Sequence, residues 1–401
     1  MNVLYLYDGH WPHNATRVSK EIETLIAAGH STTILSRGKR RDDDDRRAPS
    51  LRVSRMPSAA RTGVDRLLSY PVFVNPVWVW QIWREARATD ADCIIVRDLP
   101  LAPAALVVGR LAGVPVHYDM AEVYPVALHT LLPHEAGFAI RLVRATHLAE
   151  TVERLVVRRA TTTFVVSEES RLRCVSLGVP ADRVVLVGNT PANADELAAR
   201  WPIPTDIADL ADKPIALFVG NVFADRGLRY AIEAMSVLAA ERPDAVLVIV
   251  GDGRERARLQ ELVDSRGLGQ RVRFLGWKHH RDHAAYLAHA QLGLLPFMKT
   301  AHICITLANK LFDYMAAGLP VLASDVPPMR RVLEETQSGL LVEPGDADAL
   351  AAALIRLFRD DALRTRLGRA GQAAIAGTYS WTYDARRFVD AIERGDARAA
   401  S

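Results

Sequence analysis

No stretch of this sequence stays apolar for the roughly 18 residues that a helix needs to cross a bilayer. The longest apolar runs, such as Pro214–Gly220 and Ala245–Val250, end at strand length, so no transmembrane helix is expected. Nor does the chain open with a basic region, an apolar core and a small-residue cleavage site. Met1 leads straight into Val3-Leu4-Tyr5-Leu6-Tyr7, and the expected location is cytoplasmic. Cysteine is scarce. Cys93, Cys174 and Cys304 stand too far apart for a metal cluster or a disulfide framework, and reduced structural thiols are expected. An excess of charge of one sign is missing too: 50 Lys and Arg face 47 Asp and Glu, a net charge of +3. With no DNA or RNA motif, that balance argues against nucleic acid as a partner. The run Asp42-Asp43-Asp44-Asp45 lies between basic residues and reads as a solvated loop; neither metal nor cofactor is expected.

What the chain does have is apolar mass. At 401 residues and 49% hydrophobic content it is long enough for two cores of similar size. Short Val- and Ile-rich runs alternate with helical patterns, the signature of βαβ units around a parallel sheet covered on both faces. The first half offers Val3–Tyr7, Thr32–Ser36, Cys93–Val96, Val116–Tyr118, Thr162–Val166 and Val184–Val187. The second offers Ile215–Val219, Val246–Val250, Val272–Leu275, Leu292–Leu295 and Pro320–Ala323. Between them, residues 191–213 hold Pro191, Pro202 and Pro204 among polar residues and read as a linker. The expected architecture is α/β, with Rossmann-like domains over 1–190 and 214–375 facing a central cleft. A C-terminal helix over 376–401 is a candidate to cross back to the first domain. Ligands of such sheets bind beyond the carboxyl ends of the strands.

Strand-end loops therefore carry the chemistry to look for. Thr306-Leu307-Ala308-Asn309-Lys310-Leu311-Phe312-Asp313 runs on towards Gly318-Leu319-Pro320-Val321. A helix entered near Thr306 offers unpaired N–H groups and a positive dipole end to a phosphate. Lys310 adds a full charge, and Asp313, one turn on, is placed to accept hydrogen bonds from ribose hydroxyls. A second loop, Gly220-Asn221-Val222-Phe223-Ala224-Asp225-Arg226-Gly227, brings Arg226 to a strand end, where phosphate binding competes with a merely solvated charge. Together these outline a nucleoside diphosphate site and name no reaction.

Both stretches resemble the group-1 (family 4) glycosyltransferases of the GT-B fold. The resemblance runs over nearly the whole chain, through Phe164-Val165-Val166-Ser167, Gly188-Asn189-Thr190-Pro191 and Gly339-Leu340-Leu341-Val342-Glu343-Pro344-Gly345-Asp346. It implies a nucleotide-sugar site built from Gly220, Asn221, Arg226, Gly251, Trp277, Lys278, Thr306, Leu307, Asn309, Lys310 and Asp313, with Gly9 approaching from the first domain. Asn221 stands where the family carries Arg, and Arg226 where it carries Lys. Asp313 takes the second position of the family's paired-glutamate motif, and Ile305 takes the first. The stretch around Asn309 is also similar to the eukaryotic chitobiosyldiphosphodolichol β-mannosyltransferases, which use GDP-mannose; a GDP-sugar is thereby favoured over a UDP-sugar. Membership of the family implies a metal-independent reaction that retains anomeric configuration, with Arg226 and Lys310 stabilising the departing diphosphate.

Tyr118-Asp119-Met120-Ala121-Glu122-Val123-Tyr124-Pro125 resembles the subgroup motif Tyr-Asp-x-His-Glu-x-x-Pro, with Ala121 in place of the histidine. Asp119 and Glu122 remain as carboxylates to orient the acceptor or take its proton. The resemblance places His10, Asn14 and Arg17 at the acceptor, with His10, His13 and His117 as substitutes by proximity only for the missing histidine. An acceptor needing little help from a base, a low-molecular-weight thiol of natural-product biosynthesis, is an alternative to a small-molecule hydroxyl or a glycan. Ile305, Asn221 and Ala121 departing together also motivate a non-catalytic partner subunit, and an epimerase or hydrolase on the same fold is a further alternative. Finally, Leu67–Trp83 holds Tyr70, Phe73, Trp78, Trp80 and Trp83 and reads as a buried helix, an acceptor-pocket wall or a peripheral membrane patch.

Overall fold

Every Val- and Ile-rich run named above lies in one of two wholly parallel sheets. The computed structural model describes residues 1–12, 16–38, 49–56, 73–131 and 147–399. The chain divides into two units, Met1–Gly188 with Thr382–Ser401, and Asn189–Trp381. His13, Asn14, Asp42 to Asp45 and Tyr70 lie outside the described residues.

The first unit holds β1 (Asn2–Tyr7), β2 (Ser31–Arg37), β3 (Leu51–Met56), β4 (Cys93–Arg97), β5 (Val116–Met120), β6 (Thr162–Val165) and β7 (Val184–Leu186). Their order across the sheet is β3-β2-β1-β4-β5-β6-β7. The second unit holds β8 (Ile215–Val219), β9 (Val246–Val250), β10 (Val272–Gly276), β11 (Leu292–Leu295), β12 (Val321–Ser324) and β13 (Gly339–Val342), in the order β10-β9-β8-β11-β12-β13. Central strands read as solid apolar runs because helices cover both faces: β8 and β9 are buried at every residue. The two strands not anticipated, β3 and β13, each form one edge of their sheet. β3 alternates charge with apolar residues and is only partly buried, and β13 opens on Gly339 with all four residues half-buried, so neither carries the uniform apolar signal of an interior strand.

Strand order reverses between β1 and β4 in the first sheet and between β8 and β11 in the second. Connections on either side of such a switch point leave in opposite directions, which opens a gap beyond the strand ends.

Residues 191–213, expected as a linker, are packed into the second unit. They form the short helix Ala194–Ala198 and the turn Thr205–Leu210 and bury Leu197, Ile207 and Leu210 in its core. The helix Trp381–Ala399 packs on the first unit, its Phe388 ring 4.8 Å from that of Phe164. The aromatic stripe divides: on the helix Pro76–Ala88, Trp78 is buried, while Trp80 and Trp83 are exposed with Arg84 and Arg87 over their rings. Among the described residues no helix is long and apolar enough to cross a membrane.

His117 on β5 stacks on Phe164 and is so close to the C-terminal helix that a Cβ on Gly395 would meet its ring at 2.5 Å. His117 is fully buried and, among the described residues, neither ring nitrogen has a hydrogen-bond partner, so no acceptor reaches it and it does not substitute for the missing histidine. Burial lowers its pKa to about 4. A histidine that folds neutral stabilises fully above its ordinary pKa near 6.5 and loses that contribution as pH falls towards 4, an effect on the order of 3 kcal/mol. We expect His117→Leu to flatten the fall in urea midpoint between about pH 6.5 and 4; an unchanged pH slope would show that His117 does not govern it.

Candidate functional site

In the second unit the loops after β8 and β11 meet at the switch point. Gly227 closes the first of these loops at φ +64°, and any Cβ there would lie 1.8 Å from the Pro296 carbonyl oxygen. The Met298 amide donates to the Asp225 carbonyl at 2.9 Å. Only glycine permits that approach. Zipping the loops together stacks the Arg226 guanidinium over Phe297, 4.8 Å from the ring centroid, while Arg226 lies 3.7 Å from the Asp225 carboxylate.

Lys310 reaches the same place from the helix Asn309–Ala316. The Tyr314 hydroxyl on that helix accepts the Val219 amide at 2.9 Å, fastening the helix beneath the end of β8. The Lys310 ammonium lies 5.6 Å from the Phe297 centroid and 5.7 Å from that of Phe218. A Cβ on Gly220, at φ +138°, would fall 2.5 Å from it. Two cations thus share one aromatic ring. Burial first, and then repulsion from Arg226, lowers the Lys310 pKa to about 7, against the pull of Asp313 and Asp225. The Arg226 Nε is buried and has no hydrogen-bond partner among the described residues. Cation–π contact offsets part of this cost, but the arrangement has the electrostatics of a site built for an anion.

Among the sequence-predicted residues, Gly220, Arg226, Lys310 and Asp313 come together here. Gly251 backs them: its amide donates to Gly276, and the Gly220 amide donates to Val250, both at 2.8 Å. Asn221 and Asn309 are exposed at the rim, and Leu307 is buried, its carbonyl accepting from Asn189. Thr306 does not open the helix. Its amide and hydroxyl both turn back on the His302 carbonyl, at 3.2 and 3.1 Å, so the helix starts three residues later, with Ala308 as its N-cap. Lys278 is also elsewhere, paired with Asp206 at 2.8 Å, and Trp277 is exposed edge-on to His279. Sequence reasoning missed Phe297 and His283, whose pKa burial, His280 and Lys310 depress to about 4. The signal for Phe297 was its place two residues beyond an apolar strand. A hollow of about 520 Å³ on the other side of the loop, between the helices Leu228–Glu241 and Arg256–Ser265, is lined by neither Lys310 nor Arg226.

In the first unit Asp119 and Arg17 are brought together, but with each other. Asp119 is fully buried and receives Arg17 Nη2 at 2.8 Å and Arg97 Nη1 at 2.9 Å. Arg17 also donates to the carbonyls of Val187 and Gly188 and pairs with Glu21 at 2.8 Å. Burial raises the Asp119 pKa, yet the two guanidiniums outweigh it and the net shift is downward. A carboxylate so committed is a poor base, so the roles expected for Asp119 and Arg17 give way to an ion network that joins the ends of β4, β5 and β7. Above it, at the switch point, stand Gly9, with the Tyr7 ring against its Cα, the exposed His10 and Glu122, and the partly buried Asp8 and Asp98. Ala121 is buried at the position expected for histidine.

Two family models match: "Glycosyl transferase 4-like domain" over residues 15–190 and "Glycosyl transferases group 1" over residues 201–374. The chain belongs to the group 1 glycosyltransferases. An α-D-kanosaminyltransferase of Streptomyces kanamyceticus is 29% identical over 238 residues, 58% of this glycosyltransferase chain and 60% of that one. A GDP-mannose-dependent monoacylated α-(1-6)-phosphatidylinositol monomannoside mannosyltransferase of Corynebacterium glutamicum is 31% identical over 183 residues, 45% of this chain and 47% of its own. This chain therefore spans about half to three fifths of the length of these relatives. The sucrose-phosphate synthase of Thermosynechococcus elongatus superposes with a TM-score of 0.79 at 21% identity, covering 100% of each chain, which assigns this glycosyltransferase the GT-B fold.

If the two cations repel each other without an anion, removing one should stabilise the unliganded protein. We expect Lys310→Met to raise the melting temperature by roughly 2–4 °C, as about 1 kcal/mol does in a unit of this size, and to abolish stabilisation by inorganic pyrophosphate. A lower melting temperature in the variant would contradict this account of the site.

Proposed function

We propose that this chain transfers a glycosyl group from a nucleoside diphosphate sugar to a hydroxyl- or thiol-bearing acceptor, with the second unit holding the donor diphosphate. The observation that carries the reading is the pair Arg226 and Lys310 on the Phe297 ring. As the bond between sugar and phosphate breaks, negative charge accumulates on the departing diphosphate. Two positioned cations stabilise that charge more than they stabilise the intact donor. They supply the positive charge that a metal ion provides in other transferases, so the reaction is proposed to run without one and to retain anomeric configuration. Asp313 is proposed to receive the ribose hydroxyls.

A GDP-sugar is the first choice of donor, supported by the GDP-mannose-dependent relative at 31% identity. The acceptor screen takes hydroxyl-bearing glycans and low-molecular-weight thiols side by side, because Ala121 leaves the first unit without a histidine at that position.

The test is thermal stabilisation by GDP, UDP, ADP and TDP. One nucleotide at a hundred times its Kd should add about 2.7 kcal/mol of stability, and Arg226→Ala should lose most of the shift. No shift with any of the four would overturn the donor site and favour a non-catalytic subunit. Bound phosphate should also lift the Lys310 pKa from about 7, so binding at about pH 8 draws a proton from the buffer. Calorimetry in buffers of different ionisation enthalpy should show that uptake in the wild type and not in Lys310→Arg; equal values in both would contradict the role given to Lys310.

A further inference from the structure

The helix Pro76–Ala88 buries a carboxylate and exposes two tryptophans. At about 100° per residue, Pro76, Trp80, Trp83, Arg84 and Arg87 fall on one face, and all five are exposed. The opposite face, packed on the first unit, holds Trp78, Ile82 and Ala86 but also Gln81 and Glu85. Glu85 is 2% exposed and is held by Gln81 at 3.3 Å, Arg84 at 3.0 Å and Arg52 at 3.3 Å. A helix serving only this unit would turn its large apolar rings inward and leave the carboxylate in water.

The exposed apolar surface continues on the neighbouring helices. In the order β3-β2-β1-β4-β5-β6-β7, the connections from β3 to β4, β4 to β5 and β5 to β6 all move the same way across the sheet, so right-handed crossovers put their helices on one face. Those helices are Pro76–Ala88, Ala102–Ala112 and Leu148–Arg159. Their outer sides add Val107, Leu111, Leu148 and Leu155 to the two tryptophans. That is six of the eleven large apolar side chains exposed among the described residues, a concentration that singly scattered surface residues do not give. A hollow of about 340 Å³ joins the three helices, lined by Val74 ahead of the first, Val107 and Arg110 of the second, and Leu155 and Arg159 of the third.

Exposed charge on this surface has one sign. The three helices carry three carboxylates. Glu85 and Glu153 are buried, Glu153 against Arg173 at 2.6 Å, and the half-buried Glu150 lies 3.3 Å from His147. The charges left at the surface are arginines: Arg84 and Arg87, 4.9 and 5.7 Å over the rings of Trp80 and Trp83, with Arg110, Arg154, Arg158 and Arg159 on the other two helices.

We propose that this face docks the first unit onto a bilayer containing anionic phospholipid, with Trp80 and Trp83 among the headgroups and the arginines on lipid phosphates. The indole ring, apolar with one polar N–H, is suited to that depth. A guanidinium lying on the ring covers apolar surface while its charge stays wet, and each cation near an anionic surface adds to binding. A second copy of this chain fits less well, because a two-fold contact would set arginines against arginines.

The test is cosedimentation of the full chain with vesicles of phosphatidylcholine, alone or with about one-third phosphatidylglycerol, and it needs no turnover. The expected result is partitioning about tenfold or more stronger onto the anionic vesicles, falling as salt is raised towards about 0.5 M. Trp80→Ala with Trp83→Ala should weaken it about tenfold or more, and Arg87→Gln with Arg110→Gln about tenfold. Both double variants should keep the wild-type melting temperature, since these exposed side chains support no core. Equal partitioning onto the two vesicles, none onto either, or double variants that bind like the wild type overturns the proposal. So does a dimer at sedimentation equilibrium that the tryptophan variant dissociates, which would give the face to a second copy.

Discussion

A charge taken out of water needs an opposite charge or a hydrogen bond in exchange, and the two units meet that requirement in opposite ways. In the first, Asp119 is enclosed and fully answered by Arg17 and Arg97, and Arg17 also binds the chain near the end of β7 through the Val187 carbonyl. In the second, Arg226 and Lys310 are drawn together over Phe297, and Asp225 and Asp313 beside them do not offset the burial of Lys310 and its repulsion by Arg226. The satisfied network is architecture. The second pair is where the donor diphosphate is proposed to add its own charge.

Topology explains why both arrangements sit where they do. In a parallel sheet the connections cover both faces, and a gap appears only where strand order reverses. Asp8 and Asp98 follow β1 and β4, and Gly220 and Phe297 follow β8 and β11, so each pair flanks a reversal. Glycine at 220 and 227 then lets backbone and cation approach distances that a Cβ forbids. Asp98, at φ 63°, belongs to the same pattern, a local cost of about 1–3 kcal/mol tolerated where the surrounding packing dictates the backbone.

The periodicity of Val and Ile was enough to read both sheets, because an interior parallel strand is apolar on both faces and its signal is local. The edge strands β3 and β13 were not legible, since β3 mixes charge with apolar residues and β13 is four residues long and opens on glycine. Lys310, Arg226 and Asp313 were legible as charges at strand and helix ends. Phe297 was not, because a phenylalanine after a strand reads as core until two cations are seen above its ring.

By itself the sequence determined the α/β class, the strand-end loops and the charged residues available to them, all of which follow from local pattern. Only the tertiary structure decided which charges meet. Arg17 and Asp119 are 102 residues apart and form one ion pair; Lys278 is claimed by Asp206; Asp98 keeps a shielded oxygen with no hydrogen-bond partner among the described residues. Pairing depends on distance and burial, which strand order and loop packing set across the whole unit and no local stretch of residues encodes.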